Sequence, residues 1–139
     1  MVWLIIKLPS LLMRVALDEI VYVKADGNYC DLVLINGRCR KMTFQLHYFE
    51  KKFEELKKTD TFIRVGRSLI VNKQYVEVID LIDQTIFFGG KHLQRVPTAE
   101  DLRPRTTEGN PVNHDIYTVK VSRDALKLLK EQLEQQKHP

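Results

Sequence analysis

The chain has 139 residues, 44% apolar and 29% charged, the balance of a globular protein with a real hydrophobic core, which argues against disorder over most of its length. Of its net charge of +4, residues 1–97 carry the whole excess, with 15 Lys/Arg against 11 Asp/Glu, while residues 98–139 hold seven of each sign. The folded part is therefore basic, as suits a polyanionic partner, and no segment reaches the ~20 apolar residues of a membrane span.

Residues 2–8 read as a first strand ended by Pro9 and Ser10. A strand is expected here and not a leader peptide, because Lys7 and Pro9 interrupt the apolar run and no small-residue cleavage site follows. Short apolar runs at 13–16 and 20–25 predict two more strands. Asp26, Gly27 and Asn28 then supply turn chemistry. Residues 29–35 and 38–42 predict a hairpin about Asn36 and Gly37, with the positive φ angles of a two-residue type I′ turn. That turn would pair Ile35 with Arg38 and Leu34 with Cys39, and set Cys30 opposite Thr43. Both cysteines would then share the core face with Leu32 and Leu34, about 13 Å apart. A disulfide needs Cα atoms within about 7 Å, so both thiols are expected reduced, as in a cytoplasmic protein.

The period then becomes helical: Leu46, Phe49, Phe53 and Leu56 define one face, with Thr43 as the expected N-cap and a mixed-sign charged face opposite. Strands return at 62–65 and 69–71, interrupted by Gly66, and again at 75–79 and 85–88. The turn at Gly89, Gly90 and Lys91 lacks the pattern of a phosphate-binding loop. Residues 97–113, with Pro97, Pro104 and Pro111, read as a long mobile loop inserted in the chain. A last strand at 116–121 precedes a helix from about 122 to 135, capped by Ser122, with Leu126, Leu129 and Leu133 on one face. No Ser/His/Asp set, paired carboxylates or metal-ligand spacing emerges, so no enzyme activity, cofactor, metal or small-molecule substrate is expected.

Three segments together carry a family resemblance. Residues 20–29, IVYVKADGNY, form a strand, turn and strand with Gly, Asn and Tyr at the turn. Residues 62–72, FIRVGRSLIVN, place an aromatic and an Arg before an Arg-Ser pair and end in Val-Asn. Residues 121–123, VSR, lead into the last helix. In this order the segments resemble the LytTR DNA-binding domain, and one such domain over residues 1–139, without a receiver domain, is expected. The resemblance departs at Gly66, where the family often has His, and in the Pro-rich insertion.

The fold it implies is mostly β, an elongated stack of small antiparallel β-sheets with one short helix between strands and one C-terminal helix. The function it implies is sequence-specific binding of double-stranded DNA by loops in the major groove, in a bacterial transcription regulator. Arg67 and Arg123 take the base-reading positions, and Asn28 or Tyr29 belongs to a third reading loop. Arg64, Ser68 and Lys73 are expected on phosphates, which position a domain without reading sequence. Asn28 has a bland alternative in the turn itself, and Asn72 is expected on backbone. A homodimer, or two copies on repeated sites, follows from the family's paired sites. The alternative to DNA binding is a protein-interaction module that uses the C-terminal helix and the Pro-rich loop.

Overall fold

A computed structural model describes residues 1–90, 93 and 115–135; the insertion expected at 97–113 lies outside the described residues. Among the described residues, ten strands and two α-helices follow one another: β1 (Trp3–Leu8), β2 (Leu11–Ala16), β3 (Ile20–Asp26), β4 (Tyr29–Leu34), β5 (Cys39–Met42), α1 (Leu46–Glu55), β6 (Phe62–Val65), β7 (Leu69–Asn72), β8 (Val76–Asp80), β9 (Thr85–Phe88), β10 (Thr118–Lys120) and α2 (Arg123–Glu134). They form three antiparallel sheets: a β1–β2 ribbon, a five-stranded sheet in the order β5-β4-β3-β7-β6, and a three-stranded sheet in the order β10-β9-β8. The mostly-β stack expected from the resemblance is what the chain forms.

Apart from its edge strand β5, the five-stranded sheet is covered on both faces, which divides the interior into two cores. Strand alternation sends Cys30, Leu32, Leu34, Phe62 and Ile70 to one face, where the ribbon and α1 (through Leu46, Phe49 and Phe53) cover them. It sends Val33, Ile63, Val65, Leu69 and Val71 to the other, where β8 to β10 and α2 (through Leu126 and Leu129) close the second core. A register irregularity between Ile20 and Tyr22 lets β3 bury Ile20 in the first core and both Val21 and Tyr22 in the second. Phe53 and Phe62 stack at 4.0 Å between ring centroids. The two cores are pinned by polar groups as well: the Tyr22 hydroxyl donates to the Ile116 carbonyl at 2.6 Å, and that of Tyr117 to Leu34 at 2.8 Å. Asn72, 1% exposed, donates to Ile20 O at 2.9 Å and accepts from Gln74 N at 3.0 Å, the backbone role expected of it.

Several local expectations are corrected. The β4–β5 hairpin turns through three residues, not two. Leu34 N–H donates to Arg38 O, Val33 pairs with Cys39, and Cys30 pairs with Met42. Gly37 alone takes a positive φ, of 80°, as the left-handed residue closing a three-residue loop. A one-residue slip moves side chains to the opposite face. Cys39 is therefore exposed beside Val33 and Asp31 instead of sharing the core face with buried Cys30. Thr43 is not the cap of α1. The helix starts later, after Gln45, with no side-chain cap bond. Ser122 does precede α2, but its hydroxyl makes no cap bond either. The last strand is shorter than expected, and the 29–35 strand has two buried faces where one was expected.

Candidate nucleic-acid interface

Two hairpin turns project from the same end of the five-stranded sheet. The first, residues 27–28, joins β3 to β4, with Asp26 opposite Tyr29. Gly27 has φ +60° and Asn28 is not in the left-handed region, the arrangement of a type II′ turn. The second, residues 66–68, joins β6 to β7, with Val65 opposite Leu69. Because β3 and β7 are adjacent, with Lys24 opposite Leu69, the turns lie side by side, and Ala25 N–H donates to Ser68 O at 2.7 Å to tie them together.

A third element reaches this end. Gly66 has φ +66°, and a Cβ built on it would lie 3.3 Å from the Ala125 Cβ. Glycine thus serves both the turn and the close approach of α2. The approach puts the 66–68 turn next to the start of α2, and an open groove of about 540 Å³ runs between them, lined by Arg67, Ser68, Lys120, Ser122 and others.

The expected residues fall into two groups. Asn28, Tyr29, Arg67, Ser68 and Arg123 are all exposed at or beside these three elements. Among the described residues the side chains of Arg67, Arg123 and Asn28 make no hydrogen bond or ion pair, so the turn does not use the Asn28 amide. Tyr29 keeps one face against Lys41, whose ammonium lies 5.6 Å from the ring centroid. Lys41 in turn pairs with Asp26 at 2.9 Å and Asp31 at 3.1 Å. Its hydrogen bond and charge hold the Asp26 carboxyl below the ordinary aspartate range. Lys73 is the residue that is not brought in. It starts a 3-10 turn after β7, at the opposite end of that strand and about 13 Å from Leu69, where its N–H caps Thr61 O.

Arg64 stands on β6 beside the turn, and its exposed guanidinium is taken up by groups of the protein itself. Nε donates to Gly66 O at 3.0 Å, one terminal nitrogen to Arg67 O at 2.8 Å, and the other to Glu50 of α1 at 3.0 Å. Two residues were missed from sequence. Lys120, exposed on β10, lines the groove; its place two residues before Ser122 was the available signal. Glu50 looked like one more charge on a solvated helix face, and its partner lies 14 residues away.

Among the described residues, no group of three or more His, Cys, Asp or Glu is placed to hold a metal, and no helix is long and apolar enough to cross a membrane. The apolar face of α2 is already used, with Leu126 and Leu129 buried in the second core.

The family model described as the LytTr DNA-binding domain matches residues 10–101. The match includes both turns and ends before α2, so the place of Arg123 rests on the contact between α2 and the 66–68 turn. A solved chain from Bacillus cereus, described as the LytTr DNA-binding domain of a response regulator, shares the fold with a TM-score of 0.55 at 17% identity, covering 94% of this chain and 95% of that one. No curated protein matches the sequence.

Proposed function

The chain belongs to the LytTR family of DNA-binding domains, and on that footing we propose that it binds double-stranded DNA sequence-specifically, as a transcription regulator, by setting the end that carries the two turns and the start of α2 into the major groove. The observation that carries this reading is the convergence, at one end, of two exposed arginines from different elements, Arg67 and Arg123, with no partner among the described residues.

In the major groove a guanine offers O6 and N7 to the guanidinium fork, and an adenine offers N6 and N7 to an Asn amide, each pair worth ~1–3 kcal/mol of discrimination. Arg67 and Arg123 take the first role and Asn28 the second. Ser68, Lys120 and the Tyr29 hydroxyl, exposed around them, suit phosphate oxygens, which fix register. Lys73, at the far end of β7, has no part in this face.

Three base readers address few base pairs, whereas a genome offers ~10⁶–10⁹ competing sites. Two copies on repeated half-sites supply the missing discrimination. Sedimentation with one-site and two-site duplexes checks this: two copies are expected on the two-site duplex, and one copy on both would end the idea. The direct test of the main reading is selection of bound molecules from a random duplex pool. A short enriched motif is expected; a flat pool with measurable binding would leave only charge-driven, sequence-independent contact.

A further inference from the structure

The guanidinium of Arg64 is committed in a way that a phosphate contact does not require. It bonds two successive carbonyls of one turn, Gly66 O and Arg67 O, and at the same time a carboxylate on another element, Glu50. Three of its five N–H donors are used. Two carbonyls can converge on one planar fork only if the turn holds a particular shape, here with Gly66 at φ +66°. Glu50 is a firm anchor because its neighbours on α1, Phe49 and Phe53, are 0% and 1% exposed in the first core.

We propose that Arg64 and Glu50 are positioning residues: a brace from α1 to the 66–68 turn that fixes the direction in which Arg67 leaves the protein before DNA arrives. The inference rests on the reading of Arg67 as a base reader for its functional meaning, but not for its structural content. A partly exposed ion pair adds little to stability by itself. The effect of this one is on geometry. A preformed turn does not have to be ordered during binding, and a bidentate contact to a guanine is lost when the fork is tilted. Lysine cannot replace the fork, because its ammonium is a point charge without the planar donor pair.

Two variants separate the brace from a plain surface charge and from a phosphate contact. Glu50→Ala removes a negative charge near a polyanion, so if Glu50 were only a surface charge, affinity for every duplex would rise. The brace predicts the reverse on the selected site. Arg64→Lys retains the charge, so a phosphate contact would largely survive, whereas the brace is lost.

The experiment uses the full chain in two arms. In the first, ¹⁵N relaxation of the protein without DNA reports order at the amides of Gly66, Arg67 and Ser68. The expectation is a fall from about 0.85 in the parent to below about 0.6 in both variants, with cooperative unfolding intact. In the second, each variant is titrated with the selected duplex and with a random duplex of equal length. The selected-to-random affinity ratio is expected to fall about tenfold, the size of effect seen when hydrogen bonds to a charged group are lost, with random-duplex affinity and salt slope unchanged for Arg64→Lys. Unchanged order at residues 66–68 overturns the brace whatever the DNA arm shows. So does tighter binding of both duplexes by Glu50→Ala. If order falls but the parent itself prefers no duplex, the brace stands and the reading of Arg67 as a base reader fails.

Discussion

Gly66 is the position where the turn and α2 depend on one missing side chain, and Gly66→Ala measures that dependence. Its φ of +66° is one that an L side chain adopts at a cost of about 1–2 kcal/mol. The added Cβ would also meet the Ala125 Cβ at 3.3 Å, closer than a relaxed carbon–carbon contact of ~3.5–4.0 Å. Ala125 cannot retreat easily, because Leu126 and Leu129 fix α2 in the second core at 0% and 2% exposure. The two effects together give a destabilisation of about 2 kcal/mol, read as a lower urea midpoint with an unchanged slope. Gly66→Asn separates them. Asn adds the same Cβ but tolerates positive φ, so it should cost less than half as much as Ala. A Gly66→Ala protein within ~0.5 kcal/mol of the parent, the usual range for neutral surface changes, would refute the reasoning. Equal costs for Ala and Asn would show that crowding against Ala125, not φ, is the constraint.

Asn72→Ala leaves Ile20 O and Gln74 N without their partners, and should lower stability by about 2–3 kcal/mol in equilibrium denaturation; a loss below ~0.5 kcal/mol would mean water replaces both bonds. The Asp26 carboxyl is held below its ordinary pKa by the Lys41 hydrogen bond and charge. Its contribution is therefore present above the unfolded value of about 3.9 and lost as pH falls through the lower folded value. Lys41→Met should bring the carboxyl-carbon titration of Asp26 back toward about 3.9, and no movement would show that Lys41 is not the cause. Binding should weaken linearly in log salt, with a slope of about −0.9 for each phosphate that a lysine or arginine neutralises; a salt-insensitive complex would contradict phosphate engagement.

Much of this architecture was legible because local signals agreed. The Leu46, Phe49 and Phe53 spacing gave α1, Gly27 gave the first turn, and the FIRVGRSLIVN segment gave the β6–β7 hairpin with its exposed Arg67. What was not legible depends on tertiary partners. Asn36-Gly37 is compatible with a two-residue or a three-residue loop, and the Tyr117 hydroxyl, which accepts from Gly37 N at 2.9 Å, comes from 80 residues away. The wrong choice there exchanged the faces of Cys39. Both faces of β4 are buried because separate elements cover them, and no alternation in the strand announces that. The base-reader candidates could be named from the family resemblance, but the engagement of Arg64 depends on Glu50 of the neighbouring helix, and the distance of Lys73 from this end depends on the direction of β7.

The central claim is that Arg67 reads a base from the 66–68 turn. The most direct measurement is the affinity of Arg67→Ala for the selected duplex and for a random duplex at one fixed salt concentration. The account predicts a loss of ~1–3 kcal/mol on the selected duplex and little change on the random one. An equal loss on both would make Arg67 a phosphate contact, and no loss on either would make it a surface charge.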